Sequence, residues 1–142
     1  MLSFSPYLLT IALGWIVAQG LKYVFITFKT RSFRHYRQIY MSGNMPSAHT
    51  ATVVGLVTLI GLKDGIDSGL FGLGALFAGV VMYDAMMVRR SSGEQGAAIH
   101  SLIRESKSKV TLPRAAKGHT PVEVFVGLLL GFCIGAVVFV AT

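Results

Sequence analysis

Charged residues are scarce in this 142-residue chain and are missing from four long stretches. Asp, Glu, Lys and Arg make up 13% of the sequence, whereas a soluble domain carries about 25%. None of them occurs in residues 1–21, 38–62, 68–83 or 124–142. Uncharged apolar stretches of about 18 residues are candidates for transmembrane helices. The composition therefore predicts one integral membrane domain, residues 1–142, and argues against a soluble globular domain.

Cysteine and acidic residues are also few. Cys133 is the only cysteine, and it lies in the last apolar stretch. A single cysteine excludes a disulfide framework and a cysteine metal site, so no metal is predicted. Thirteen basic residues oppose six acidic ones, giving a net charge of +7. Because the basic residues lie between apolar stretches, membrane lipid headgroups or phosphate groups are the expected partners, and nucleic acid is not.

The pattern that remains predicts an all-α, polytopic membrane helix bundle. About four transmembrane helices are expected, joined by amphipathic connectors, and the sixteen glycines would let these helices approach closely. The spans are placed at residues 5–28, 45–62, 69–88 and 121–142. The basic connector 29–43 is predicted to lie partly as a helix on the membrane surface. The connector 91–117 is predicted to break at residues 93–96, to form a short amphipathic helix over 97–106, and to act as a mobile lid.

The distribution of basic residues predicts the orientation in the cell's inner membrane. Four basic residues lie between spans one and two and seven lie between spans three and four, whereas only Lys63 lies between spans two and three. The positive-inside rule places the first and third connectors in the cytoplasm and both termini outside. The same topology brings the start of span two, the end of span three, the start of span four and Lys22 to one face. A shared site on the cytoplasmic face is therefore expected.

The start of span four carries the most informative motif. It reads Gly118-His119-Thr120-Pro121-Val122-Glu123-Val124. Thr120 would be the N-cap and Glu123 would complete a capping box. Free N–H groups at a helix start bind anions, so His119 could attack phosphorus there while Glu123 orients its ring. The alternative is that Glu123 only caps the helix and His119 is a loop residue.

Span two opens with a second polar motif, residues 43–50. Asn44 is a candidate N-cap, which would place Pro46 in the first turn and Ser47 and His49 about one turn into the helix. Ser47 could instead bond to its own helix backbone. His49 at membrane depth requires a polar partner.

Four further charged residues lie near the same predicted face. Asp84 could pair with an arginine of the Arg89–Arg90 pair while the guanidinium groups hold phosphate oxygens. The alternative is that both arginines are positive-inside anchors. Lys22 is either a functional group within span one or a snorkelling side chain.

These motifs together carry a family resemblance that covers nearly the whole chain. Residues 43–50, Tyr-Asp-Ala-Met-Met-Val-Arg-Arg (83–90) and residues 118–124 resemble the divergent branch of the type 2 phosphatidic acid phosphatase superfamily, which is related to the vanadium haloperoxidases. Pro46-Ser47-Ala48-His49 resembles the superfamily's Pro-Ser-Gly-His motif. His119 and Glu123 resemble its nucleophilic histidine and the aspartate four residues later.

The resemblance implies a role for each residue. His119 would form a phosphohistidine, Glu123 would hold its ring, and His49 would protonate the leaving oxygen and then activate water. The resemblance would also make Ser47, Arg89 and Arg90 phosphate ligands. From their own positions in the sequence, Lys22 is a further candidate phosphate ligand, and Asp84 and Asn44 are candidate supporting residues. No metal or cofactor is required in this scheme.

The predicted function is therefore a membrane phosphatase acting on a lipid or isoprenoid phosphate or pyrophosphate. A catalytically inactive binder of phosphate or anionic lipid is one alternative. A small transporter lined by Lys22 and Asp84 is another, and a haloperoxidase is the least favoured. Four spans are fewer than the six of ordinary lipid phosphatases in this superfamily, and a homodimer is one way for so few helices to enclose a lipid tail.

Overall fold

The computed structural model describes residues 5–31, 44–113 and 118–142, and these residues are almost entirely helical. The elements are α1 (Pro6–Thr30), α2 (Ala48–Lys63), α3 (Gly69–Tyr83), a π-helical turn (Asp84–Val88), α4 (Arg89–Glu105) and α5 (Pro121–Ala141). No strand occurs in these three ranges. The prediction of an all-α helix bundle is confirmed.

Within the described residues, three helical segments are long and apolar enough to cross a membrane. They are α1, the continuous helix Gly69–Glu105 that joins α3 to α4, and α5. The fourth apolar helix, α2, has 16 residues, or about 24 Å at 1.5 Å per residue, somewhat less than the roughly 30 Å thickness of a bilayer's hydrocarbon core. The chain is an integral membrane protein, and α2 lies at the centre of the bundle, in contact with α1, α3 and α5.

The contacts of α2 establish the direction of its neighbours. The hydroxyl of Tyr7, at the start of α1, donates to Asp64 at the end of α2, so these helices are antiparallel. Gly61 of α2 faces Phe71 near the start of α3, so α3 is antiparallel to α2 as well. The start of α2 and the end of α3 therefore meet on one face. The backbone N–H of Ser47 donates to the Glu123 carbonyl, so the start of α5 lies on that face too, as the sequence predicted.

Helices α2 and α5 run parallel and pack almost backbone to backbone. Along α5, Gly127 faces the carbonyl of Ser47, Gly131 faces that of Ala51, and Gly135 faces that of Gly55. The glycines are four residues apart and so lie along one side of the helix. A Cβ atom on Gly131 would lie 2.5 Å from the Ala51 carbonyl oxygen. This close approach explains why α5 carries glycine at every fourth position of its contact face.

The predicted break at residues 93–96 is wrong. The helix continues from Gly69 to Glu105, and only its π-helical turn departs from α-helical geometry. A glycine inside a helix costs about 1 kcal/mol relative to alanine, so two glycines weaken a helix without ending it. Pro113 lies outside the helix.

The predicted start of α2 is also wrong by three residues. Ser47, and not Asn44, is the N-cap, because the Ser47 side chain accepts from the backbone N–H of Thr50. Asn44 has a φ of 66°, a left-handed conformation that asparagine tolerates, whereas an N-cap has an extended backbone. Pro46 therefore precedes the helix. The predicted surface helix of the first connector lies largely in residues 32–43, outside the described residues, as do residues 114–117 of the third connector.

Candidate functional site

The start of α5 holds His119 and Glu123 in direct contact. One carboxylate oxygen of Glu123, Oε2, lies 3.0 Å from Nδ1 of His119 and also accepts from the backbone N–H of Thr120 at 3.1 Å. The Thr120 hydroxyl in turn accepts from the backbone N–H of Glu123 at 3.3 Å. The capping box and the histidine–carboxylate contact are therefore both present. They share one oxygen, so the two interpretations of this motif do not exclude each other.

This contact determines which nitrogen of His119 can react. A carboxylate only accepts hydrogen bonds, so Nδ1 carries the proton and the lone pair is on Nε2. The imidazole is 3% exposed. Burial lowers the pKa of His119 below its ordinary value, and the hydrogen bond and charge of Glu123 oppose that shift only in part. The ring is therefore neutral near pH 7, which is the form that can act as a nucleophile.

The start of α2 is hydrogen-bonded to the start of α5. The backbone N–H of Ser47 donates to the carbonyl of Glu123 at 3.1 Å. The Ser47 hydroxyl is fully buried and accepts from the Thr50 hydroxyl at 2.9 Å. The next two backbone N–H groups, those of Ala48 and His49, belong to the first turn and have no intrahelical acceptor. Two helix starts, each with a positive dipole end, are thus fixed side by side.

The start of α4 contributes a cation. Arg89 pairs with Asp84, with 2.6 Å between Nε and Oδ2, and both side chains are a little over one third exposed. Residues five apart face different directions on an α-helix. The wider π-helical turn between them brings the two side chains together. Arg89 is close enough to His49 and His119 to interact with both electrostatically.

Lys22 of α1 completes the cluster from the remaining helix. Its side chain is 3% exposed, and it interacts electrostatically with Glu123, His119 and His49. His49 is exposed on the first turn of α2 and also interacts electrostatically with Asp84. The structure therefore brings together the two histidines, Lys22, Arg89 and the two carboxylates of Asp84 and Glu123, although these residues come from four different helical segments.

Two of the predicted site residues lie apart from this cluster. Arg90 points along α4 and pairs with Glu94 at 3.3 Å, so of the two adjacent arginines only Arg89 reaches the cluster. Asn44 lies in the turn before α2 and no longer has the capping role expected of it. Among the described residues no group of three His, Cys, Asp or Glu side chains is arranged to hold a metal ion.

Sequence reasoning missed two backbone contacts of the site. The N–H of His119 donates to the carbonyl of Ala85, in the π-helical turn, at 2.9 Å. Gly118 packs against the backbone of Arg90 so closely that a Cβ atom would lie 2.5 Å from the Arg90 nitrogen. A glycine directly before a candidate nucleophile was the only available signal.

Comparison with known proteins gives a family match and one curated relative. The family model described as "Divergent PAP2 family" matches residues 4–134. An uncharacterized membrane protein, YuiD of Bacillus subtilis (strain 168), is 40% identical over 105 residues. That alignment covers 63% of this chain and 66% of the relative. No solved structure matches the chain.

Proposed function

The chain belongs to the divergent PAP2 family, and from this premise we propose that it is a membrane phosphatase. The substrate class is a lipid or isoprenoid phosphate or pyrophosphate, and the reaction proceeds through a phosphohistidine. The observation that carries the proposal is the pair of imidazoles at the starts of two parallel helices, one held by Glu123 and both within reach of buried or half-buried cations.

The first step is attack of His119 Nε2 on phosphorus. A P–N bond forms as the bond from phosphorus to the ester or anhydride oxygen breaks. His49 protonates that leaving oxygen and so becomes neutral. As the His119 ring gains positive charge, the Glu123 carboxylate on Nδ1 stabilises it, as a carboxylate does for the base of a catalytic triad.

The second step regenerates the enzyme. Neutral His49 takes a proton from water, the resulting oxygen attacks the phosphoryl group, and the P–N bond breaks to release inorganic phosphate. His49 ends protonated and His119 ends neutral, as at the start. An imidazole suits this exchange because its pKa lies near neutrality. His49 is exposed, which gives it access to both water and a leaving group.

Fixed positive charge would stabilise the phosphoryl group during transfer. The ammonium of Lys22 and the guanidinium of Arg89 supply full charges, and the free N–H groups of Ala48 and His49 supply partial charges. Asp84 orients Arg89 through their ion pair. Ser47 contributes mainly by capping α2, since its hydroxyl is buried and already accepts two hydrogen bonds. The Arg90 guanidinium, paired with Glu94, would have to turn inward to take part.

The cellular setting is proposed on the same evidence. We place the site on the cytoplasmic face of the inner membrane with both termini outside, because most basic residues of the sequence lie between spans one and two and between spans three and four. A homodimer would cover α3, whose apolar surface is largely unpartnered in one chain. Between Gly69 and Glu105 only Ala78 and Ala85 are buried.

Phosphate release by the purified protein in detergent tests the proposal. The substrates are phosphatidate, phosphatidylglycerophosphate and prenyl diphosphates. We expect His119→Ala to abolish both phosphate release and phosphohistidine labelling, and His49→Ala to slow both steps. His100→Ala is the matched control, because His100 lies on α4 and bonds the carbonyl of Pro113.

Two outcomes would contradict the proposal. Full activity in both His119→Ala and His49→Ala would exclude the mechanism. Saturable binding of phosphate or vanadate to the protein, without turnover of any substrate, would indicate the alternative, a non-enzymatic binder of phosphate or anionic lipid.

A further inference from the structure

The π-helical turn at the end of α3 exposes a backbone acceptor. In an α-helix the N–H of Arg89 would donate to the carbonyl of Ala85, four residues earlier. Here it donates to the carbonyl of Asp84, five residues earlier. The Ala85 carbonyl thereby loses the donor that it would have in an α-helix, and it accepts from the N–H of His119 at 2.9 Å. The irregular turn is thus the point at which the segment before α5 attaches to α3.

Gly118 makes this attachment sterically feasible. A Cβ atom on Gly118 would lie 2.5 Å from the nitrogen and 2.6 Å from the Cα of Arg90. Both atoms belong to the backbone of the helix Gly69–Glu105, so neither can move aside as the end of a side chain can. Any side chain at position 118 would push this segment off the helix and lengthen the hydrogen bond that follows it.

We propose that Gly118 is a positioning residue for His119 and that the π-helical turn is the surface on which it positions that histidine. His119 is then held at two points: its backbone by α3 through Ala85, and its ring by α5 through Glu123. The same turn also places Arg89 beside Asp84. One backbone element thus fixes the nucleophile relative to a phosphate-binding cation. This inference rests on the proposed function.

Gly118→Ala tests the inference, with Gly79→Ala as the matched control. Gly79 lies on the same long helix, and a Cβ atom there would meet nothing within 4 Å. We expect Gly118→Ala to lower kcat at least 10-fold and to change KM less than 3-fold. Both constants are measured with whichever lipid or prenyl phosphate the wild type hydrolyses. Gly79→Ala should match the wild type in both constants.

A second readout does not depend on turnover. The His119 ring can be titrated by NMR in ¹⁵N-histidine-labelled protein without substrate. Burial lowers the pKa of His119 in the wild type, so undocking should raise that pKa toward the ordinary value of about 6.5. A substitution elsewhere that only destabilised the bundle would leave the pKa of His119 unchanged as long as the protein remained folded.

A deletion in the turn provides an independent variant. Removing the exposed Met87 would convert the π-helical turn into regular α-helix and return the Ala85 carbonyl to an intrahelical partner. We expect the same loss of kcat and the same rise in the pKa of His119. If Gly118→Ala does not fold, this deletion decides the question with both readouts.

The outcomes separate this inference from the proposed function. If His119→Ala is inactive while Gly118→Ala keeps the wild-type kcat and the wild-type titration of His119, the positioning role is excluded and the phosphatase stands. If His119→Ala remains fully active, the phosphatase mechanism is excluded, and the titration still tests whether Gly118 docks the histidine.

Discussion

Replacing Glu123 with glutamine tests the central contact of the site with little change in shape. The carboxylate accepts from Nδ1 of His119 and from the N–H of Thr120. A hydrogen bond to a charged group contributes about 1.5–3 kcal/mol, and one between neutral groups about 0.5–1.5 kcal/mol. The difference of about 1–2 kcal/mol, if expressed in the transition state, corresponds to a loss of about 5- to 30-fold in rate.

The pH dependence of Glu123→Gln gives a sharper criterion than its rate. The negative charge of Glu123 raises the pKa of His119, against the larger lowering by burial. Removing the charge must therefore lower the pKa of His119 further. Protonated His119 cannot attack phosphorus, so the acidic limb of kcat/KM should move to lower pH. The assay is phosphate release in detergent between about pH 5 and pH 8, the range in which histidine titrates.

Thr120→Ala separates orientation of the histidine from capping of the helix. It removes the Thr120 hydroxyl from the capping box but leaves the contact between Glu123 and His119. Loss of an N-cap costs about 1 kcal/mol of stability, so the unfolding midpoint should fall while the acidic limb stays in place. An acidic limb that Glu123→Gln does not move, or that Thr120→Ala moves equally, would refute the assigned role of Glu123.

Three further outcomes are expected. Lys22→Met should reduce phosphate release at least 100-fold, because it removes a cation from the site. The unfolding midpoint should not fall, because a buried ammonium is costly to desolvate. Gly131→Ala should destabilise the protein by about 1–3 kcal/mol through overpacking, whereas Gly72→Ala, where a Cβ meets nothing, should not. The free energy of unfolding should fall as pH falls from about 6.5 toward the lowered pKa of His119, since the unfolded chain binds more protons in that range. Chemical denaturation at several pH values should show that this free energy depends less on pH in His119→Gln than in the wild type.

The helices themselves were predictable because of where charge is missing. Each uncharged stretch overlaps most of one apolar helix of the bundle, and α5 begins at Pro121 as its capping motif indicates. The meeting of three helix ends on one face also followed from the sequence. Because successive spans cross the membrane in opposite directions, these three ends are expected on the same side, and the contacts between α2 and its neighbours agree with this arrangement.

Other features depend on geometry that residue types do not encode. Asn44 and Ser47 are both good N-cap residues, and only the backbone decides between them: a φ of 66° excludes Asn44. Arg89 and Arg90 are chemically identical neighbours. Which of them faces the cluster depends on the phase of the helix, and the π-helical turn shifts that phase within residues 84–88. No pattern of apolar residues marks this turn in advance.

The candidate site is a chain of hydrogen bonds that joins the ends of three helices. Ser47 of α2 donates to the carbonyl of Glu123, the Glu123 side chain holds the His119 ring, and the His119 N–H donates to Ala85 in the turn after α3. Two of these three bonds use the backbone, so side-chain composition alone could not reveal them. A helix that shifted relative to its neighbours would therefore disturb the histidine directly. This explains why small residues, and not bulky ones, line the contact between α2 and α5: close packing there holds the two helix starts in fixed register beneath the site.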